Sequence, residues 1–457
     1  MLQLISNITF IKNIITVPTS SIPADKQTFA TSVRTSPELI FDFSLPNSNP
    51  GKILTQQDFE DLYLVGNDVA ITFNWVNNVE IDSSFKDLTK KAKITFPRNL
   101  QFNGLQLFKS FNETTGKSGI PIFGRGDRVI IKLGYIDTNN PTDIGTLQEV
   151  FRGFVTRVDI STPLMVECED LMFGLKQMKA MYPVNGDSSA KITLRNLIRR
   201  LLDPAQNKLL TSNQAIFDLT SIGDTSKQNT ATQKNAKGLI PLVIPLDTNA
   251  FTYSTTTEKS IAEVFVDLKK KLFLYSFFDD YGNLHIELPF INSQELAKIA
   301  NPPTFTFEKQ IIESSNMKLQ REDEMSLKVI FESKRSDKKT GAFYGNPNSS
   351  SKQNFVGDAI GDTITVHGPE DLSQDDCNKY ALQILAANKY TGYAKSSTFE
   401  TFGEPAVHIG NSVKLISTLY PEKGGTYAIV GIRRTFGMNG YRQNIEIGVG
   451  IGNSLNN

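Results

Sequence analysis

The chain has 457 residues, with 48 Lys+Arg against 48 Asp+Glu and 39% hydrophobic residues. Its length predicts about three domains, and its formal net charge of +0 excludes a chain-wide basic surface for nucleic acid or anionic lipid. Two cysteines and three histidines are too few for a disulfide framework or a His-rich metal centre. No apolar run approaches the ~20 residues of a membrane span, and residues 1–17 lack the pattern of a signal peptide. We therefore expect a soluble, cytosolically made protein.

The first third predicts a β domain over residues 1–180. Short stretches alternate apolar and polar side chains and are rich in β-branched and aromatic residues, which is typical of a sandwich or barrel. Gly126 and Asp127 predict a turn that opens a strand, and Gly153 inside a later strand predicts a bulge or bend. The expected strands are 69–75, 91–96, 128–133, 149–158 and 164–168.

The middle changes to a helical period and predicts a small α+β domain over 181–305. Apolar residues of 194–202 share one helical face, and Ser260 with Glu263 forms a capping box for a second helix. Asp279 to Asn283 predicts a hairpin turn between two strands. The polar segment 211–237 predicts a loop or insertion.

The last third returns to β structure and predicts a second β domain over 306–457. A helix over 373–390 interrupts it, and Asn439-Gly440 predicts a hairpin. The polar stretch 334–358 predicts a flexible loop. The expected strands are 326–332, 397–402, 412–416, 427–433 and 444–449.

The two β regions follow one pattern. The turn Gly126-Asp127 and the turn Gly410-Asn411 each precede a strand with valine, and each strand leads through a variable loop to two further strands. Either one plan occurs twice in the chain, or the likeness is the turn chemistry common to antiparallel β proteins.

Motifs for chemistry are incomplete. The Gly-Lys-Ser at 116–118 lacks the first glycine of a phosphate loop, since position 111 is Phe111. No Gly-x-Ser-x-Gly elbow occurs, and the histidines are isolated, so solvated or core positions are expected for them. The carboxylates at 167–170, 279–280 and 322–324 predict turn and surface roles. We expect no catalytic residue, cofactor or metal; the residues singled out are structural turn and bulge positions, namely Gly126, Asp127, Gly153, Gly410, Asn411 and Gly440.

Several segments in this order resemble one family. The run 123–135 (FGRGDRVIIKLGY), the strand 150–158 (VFRGFVTRV) and the acidic-ended 166–170 (VECED) resemble a barrel of phage baseplate hub proteins. In the C-terminal part, the helix 378–390, Gly403-Glu404-Pro405, Gly410-Asn411, 425–427 and 440–443 are similar to the same late-control and VgrG-like hub family. The resemblance spans roughly 90–300 and 370–450.

The resemblance implies a homotrimer of a mainly β protein. Each chain would carry two similar antiparallel β-barrels with a small α+β domain between them, and six barrels would form a pseudo-sixfold ring. The ring would join the hexameric tail tube protein to a threefold central spike protein, contact other baseplate proteins, and let DNA or an effector pass without specific binding. The expected location is the virion tail baseplate, away from membranes. Because the sequence stops at Asn457 without a β-helical spike, we expect a separate spike protein.

Two other functions stay open. Another adaptor or distal tail component would share the β-rich composition, and a cell-wall hydrolase would need a carboxylate pair that meets only in space. Phage tail and contractile injection particle are not distinguished by the sequence.

Overall fold

The computed structural model describes residues 2–11, 39–43, 69–97, 111–112, 117–118, 123–140, 145–180, 191–210, 217–219, 240–243, 251–253, 258–272, 274–280, 282–287, 301–334, 343–345, 356–358, 360–368 and 374–451. The polar segments predicted at 211–237 and 334–358 lie mostly outside these residues.

Strands dominate the described chain. In order they are β1 (Leu2–Ile11), β2 (Leu39–Phe43), β3 (Val69–Phe73), β4 (Asn78–Ser84), β5 (Lys91–Thr95), β6 (Phe111–Asn112), β7 (Lys117–Ser118), β8 (Arg128–Asp137), β9 (Gln148–Asp159), β10 (Met165–Glu169), β11 (Lys191–Ile192), β12 (Phe217–Asp218), β13 (Ile240–Val243), β14 (Phe251–Thr252), β15 (Tyr275–Phe278), β16 (Leu284–Glu287), β17 (Thr304–Thr306), β18 (Ile311–Glu313), β19 (Leu319–Gln320), β20 (Leu327–Lys334), β21 (Phe343–Gly345), β22 (Val356–Gly357), β23 (Asp362–Gly368), β24 (Gly392–Tyr393), β25 (Thr398–Phe402), β26 (Ser412–Ile416), β27 (Gly425–Gly437) and β28 (Gly440–Gly450).

In the described ranges four α-helices lie between these strands: α1 (Met172–Gln177), α2 (Leu194–Leu202), α3 (Ile261–Leu272) and α4 (Gln374–Asn388). Two 3-10 turns occupy Glu322–Glu324 and Pro421–Lys423.

One 14-stranded sheet contains strands from both β regions of the sequence. Its order is β18-β25-β28-β27-β4-β5-β10-β9-β8-β1-β3-β2, with β26 pairing β27 and β17 pairing β26. The mainly β class expected from the sequence is confirmed. The two similar antiparallel β-barrels that the resemblance implies are not confirmed, because the strand pairings of the described residues form an open path with one side branch. The two β regions share a sheet because β27 of the second pairs with β4 of the first.

The sheet buries two apolar cores, one under each β region. Alternating residues of β1 point into the first core, as the period of a half-buried strand requires. Four phenylalanines meet there, with neighbouring ring centroids 4.8 to 6.3 Å apart; they are Phe10, Phe73, Phe96 and Phe123. The second core is built on β25 to β28 and contains Phe305, Phe399 and Tyr427.

The middle region forms an α+β unit with its own core. Helices α1, α2 and α3 pack with a sheet in the order β12-β13-β16-β15. Thr193 caps α2 by accepting from the backbone N–H of Asn196. The predicted capping box of α3 is present: Ser260 Oγ accepts from the Glu263 N–H at 3.2 Å, and the Glu263 carboxylate accepts from the Ser260 N–H at 2.6 Å.

A fourth core lies between α4 and a sheet of β20, β21, β22 and β23. Cys377, Ala381 and Ile384 of α4 face Val329 and Phe331 of β20. The helix predicted over 373–390 therefore packs mainly on this sheet. No helix in the described part of the chain is long and apolar enough to cross a membrane.

We expect Gly153→Ala to destabilise the protein by roughly 3 kcal/mol, since overpacking against a fixed neighbour commonly costs 1–3 kcal/mol or more. A Cβ at Gly153 would lie 2.0 Å from the backbone oxygen of Glu169, which cannot move without disturbing the β9–β10 pairing. Urea denaturation measures the change. Gly431→Ala is the matched control, because its Cβ would meet the flexible carboxylate of Glu446 at 3.0 Å. Equal stability losses for both variants would contradict the prediction.

Candidate functional site, a junction between two strand repeats

Ten strands of the large sheet fall into two sets with the same order. The first repeat is β4, β5, β8, β9 and β10, and the second repeat is β18, β25, β26, β27 and β28. In each repeat the last three strands form a meander, and the two earlier strands add to its far edge, with every pairing antiparallel. The same topology twice in one chain indicates an internal repeat.

The turn that opens β8 is defined by backbone hydrogen bonds. The Asp127 N–H donates to the Gly124 oxygen at 3.1 Å, and the Asp127 oxygen accepts from the Val155 N–H at 2.8 Å. The buried Asp127 carboxylate also accepts from the Gly124 N–H at 2.7 Å. Gly126 has a φ of +91°, in the region that favours glycine.

The turn that opens β26 has the matching bonds. The Asn411 N–H donates to the His408 oxygen at 3.2 Å, and the Asn411 oxygen accepts from the Ile429 N–H at 2.9 Å. Gly410 has a φ of +81°. Each residue of this turn thus has a counterpart in the turn before β8, and Ile429 is the counterpart of Val155.

Both repeats also carry a β-bulge at the same place. Thr156 of β9 is the extra residue opposite the step Glu167–Cys168 of β10. Val430 of β27 is the extra residue opposite the step Glu446–Ile447 of β28. Since a bulge fixes the register of the strands around it, the two meanders align at the turn and at the bulge. Each has one further register shift, between Ile131 and Lys132 in the first repeat and between Tyr427 and Ile429 in the second. They differ at the outer edge, where β1 pairs β8 antiparallel and β17 pairs β26 parallel.

The repeats meet along β27, which has 13 residues and serves both. Strand β28 occupies one edge of β27. On the other edge, residues 425–428 pair with β26 of the same repeat, and residues 431–437 pair with β4 of the first repeat. On the surface of this junction, Arg433 lies 3.7 Å from Glu80 and 3.6 Å from Asp82.

A buried charge cluster lies beneath the junction and joins three regions of the chain. Asp280, from the hairpin of the α+β unit, contacts Lys90 of the first β region. Its Oδ2 also lies 3.2 Å from Nη2 of Arg434 and 2.7 Å from Nδ1 of His408, both from the second β region. The side chains of Asp280 and Arg434 are 1% and 0% exposed. Arg434 donates in addition to the backbone oxygen of Val407.

The charge state of the cluster follows from its contacts. Burial alone would raise the pKa of Asp280, but the charges of Lys90 and Arg434, with the hydrogen bond from His408, hold it well below the usual range. Asp280 is therefore an ionised carboxylate that neutralises two buried cations. The surface role predicted for this residue is wrong, because residues far away in the sequence cover the hairpin.

The neighbouring Asp279 stabilises the same hairpin. Its carboxylate accepts from the Asn283 N–H at 2.8 Å and lies 3.0 Å from Nε2 of His285. The His285 ring stacks on Phe277 with centroids 4.8 Å apart. Hydrogen bonding and stacking thus hold this histidine at a half-buried position, with 17% of its side chain exposed.

Asp170 connects the first β region to α1. Its carboxylate accepts from the N–H of Lys90 and from the N–H of Met172, both at 3.0 Å. Burial raises the pKa of Asp170 to about 6, and the contacts with Lys90 oppose that rise. Asp170 is thus structural and buried, so the predicted surface role is wrong here too. Of its carboxylate neighbours, Glu169 pairs with Lys176 at 2.8 Å.

The two remaining sequence-predicted positions lie at strand contacts. Gly153 sits in β9 against the backbone of β10. Gly440, with a φ of +95°, follows the β27–β28 turn and pairs with Gly437. Neither touches the Asp280 cluster. Sequence reasoning missed the cluster because its members are isolated in the chain. Arg434 lies inside β27 and Lys90 lies directly before β5, and neither position stands out in a short stretch of sequence.

In the described ranges no group of three or more His, Cys, Asp or Glu side chains is placed to hold a metal ion. A depression of about 680 Å³ at the junction is open to solvent and lined by both acidic and basic side chains, including Asp82, Lys91 and Arg433.

Comparison with known proteins gives neighbours of one class. No protein-family model and no curated protein matches the sequence. Among solved structures, a tail protein from Neisseria meningitidis MC58 shares 13% identity at a TM-score of 0.45, over 84% of this chain and 94% of that chain. The 43 kDa tail protein of prophage MuSo2 from Shewanella oneidensis shares 11% identity at 0.45, over 84% and 97%.

A third neighbour is an E. coli protein described as a component of the type VI secretion system with structural similarity to T4 bacteriophage tail proteins. It shares 9% identity at a TM-score of 0.37, over 82% of this chain and 73% of that chain. These proteins are of the class that the sequence motifs resemble. Because the TM-scores stay below 0.5, the likeness carries no functional argument, and function is inferred from contacts within this chain.

We expect Asp280→Asn to lower the free energy of unfolding by about 3–5 kcal/mol, because it leaves Lys90 and Arg434 buried without a counter-charge. Chemical denaturation measures the loss. Asp82→Asn is the control, since this carboxylate is 63% exposed and its pair with Arg433 is worth at most about 1 kcal/mol. A loss below about 1 kcal/mol in Asp280→Asn would contradict the proposed role of the cluster.

Asp170 gives a pH prediction of opposite sign to ordinary acid denaturation. Its raised pKa means that its contribution is fully present below about pH 3.8 and is lost as pH rises through about 6. From pH 5 to pH 8 we expect the free energy of unfolding of the wild type to fall by about 1 kcal/mol relative to that of Asp170→Asn, because the side chain at position 170 of the variant is neutral at both pH values. Denaturation of both proteins at the two pH values measures this. A constant difference between them would contradict it.

Proposed function

We propose that the chain is a structural subunit of a phage or phage-like tail, the hub of its baseplate. The observation that carries this is the pair of strand repeats joined edge to edge. A chain with two equivalent units presents, in a trimer, six similar units around a threefold axis. Such a ring matches a hexameric tube on one side and a threefold spike on the other.

The contacts within the chain support a role in assembly. The repeats share one sheet and one buried ion cluster, so they are held in a fixed relative orientation. A fixed angle between units is what a closed ring requires, since closure depends on the rotation at each junction. In this proposal the two β repeats take the place of the two barrels that the family resemblance implies.

The proposal includes partners and location. The subunit is a homotrimer in the virion tail baseplate, bound to the tail tube protein, a central spike protein and other baseplate proteins. Its ring surrounds a channel for DNA or an effector, which pass without specific binding; the formal net charge of +0 agrees with that. The proposed role is not enzymatic. The carboxylates of Glu169, Asp170, Asp279 and Asp280 are held by hydrogen bonds and ion pairs within the chain.

Light scattering and electron microscopy test the proposal. We expect a particle with three times the mass of the chain, and class averages that show threefold symmetry with six similar lobes. Added tube protein should bind to one face of the ring. A stable monomer at micromolar concentration, unchanged by tube or spike protein, would refute the proposal. A sixfold particle of six chains would favour another tail adaptor in its place.

A further inference from the structure

The junction in which β4 pairs with β27 is called the filled junction. It has a counterpart in the same chain whose two strands do not pair in the described residues. In the filled junction, β4 of the first repeat pairs with residues 431–437 of β27 in the second repeat. The alignment of the repeats makes β18 the counterpart of β4, and makes Arg157 to Asp159 of β9 the counterpart of Gly431 to Arg433. Within the described residues, β18 and this part of β9 do not pair with each other.

Each of the two counterparts has an unpaired edge in the described part of the chain. Strand β9 pairs with β8 through Phe154 and with β10 through Asp159, so the β8 side of residues 156–159 carries no strand. Strand β18 ends the 14-stranded path and pairs with β25 alone. An unpaired edge is a template for another strand.

The side chains along these edges favour contact with another protein strand. Ile312 and Leu319, on either side of the turn after β18, are 45% and 49% exposed, and Ile160, directly after β9, is 48% exposed. Apolar residues at that exposure on a sheet edge are what a protein contact would cover. Arg157 and Asp159 on one edge, and Glu313 and Lys318 on the other, give both edges both signs of charge.

From this we infer that residues 311–320 of one chain dock on the β9 edge at residues 156–160 of a second copy. This contact repeats, between chains, the β4–β27 junction found within the chain, and it rests on the proposed ring. The occupant is a second copy because this sequence contains both edges: the partner that β9 lacks is β18, and the partner that β18 lacks is β9. Two copies therefore supply each other's missing strand. The contact is head-to-tail, so copies add in one direction until the ring closes.

Engineered cysteines in the full chain test this contact. Arg157→Cys is combined in turn with Glu313→Cys, Lys318→Cys or Leu319→Cys, and each protein is oxidised mildly. Opposed residues of antiparallel strands lie about 4.5–5.5 Å apart at Cα, a distance that a disulfide spans. We expect a covalent ladder up to the trimer on a non-reducing gel for at least one combination. The matched control is Arg157→Cys with Leu209→Cys, whose leucine is 53% exposed in the α+β unit.

The native cysteines do not interfere, because Cys168 and Cys377 are both buried. Burial also raises the pKa of the Cys168 thiol and so suppresses its thiolate. A trimer mass by light scattering, with no ladder in any of the three combinations, would overturn the docking of these edges and leave the proposed function intact. A monomer by light scattering would overturn both. A ladder as strong with the Leu209→Cys control would also overturn the specific contact.

Discussion

A carboxylate can stay ionised in a protein interior only when cations and hydrogen bonds replace its water, and Asp280 meets that requirement with groups from both β regions. The hairpin of the α+β unit supplies the anion, and the two β regions supply Lys90, Arg434 and His408. None of the three regions can move away without leaving a charge buried alone. The orientation of the two repeats, the shared strand β27 and any ring built from them depend on this neutralisation.

The repeats show how one strand plan is used for two purposes. In the first repeat, the meander extends through β1, β3 and β2. In the second, the one further strand that pairs with β26 in the described residues is the short parallel strand β17. What is kept is the turn, the bulge and the two added strands, which together set where a neighbouring strand can pair. What differs lies on the far side of the meander, away from the junction between β4 and β27.

Much of this architecture was predictable from local patterns. The glycine turns at Gly126 and Gly410, the capping box of α3 and the alternation of β8 to β10 each depend on neighbours in the sequence, so short windows show them. Strand β4 was missed because its polar residues outnumber its apolar ones, and β27 determines its place. The Asp280 cluster could not be predicted because it, too, depends on residues far apart in the sequence. Its four side chains span residues 90 to 434, so no short stretch of sequence contains them together. The hairpin looked exposed because the sequence does not show what covers it.

The pairing of β4 with β27 also determines when, during synthesis of the chain, the two repeats can join. The edge of β4 is complete only when residues 431–437 have been made, roughly 350 residues later, which at translation rates of 5–20 residues per second takes about 20–70 s. During that time the first repeat carries an unsatisfied edge, and Lys90 awaits its counter-ion from the hairpin. The two repeats therefore cannot be joined before residues 431–437 are synthesised, so assembly with other subunits through the joined repeats follows translation.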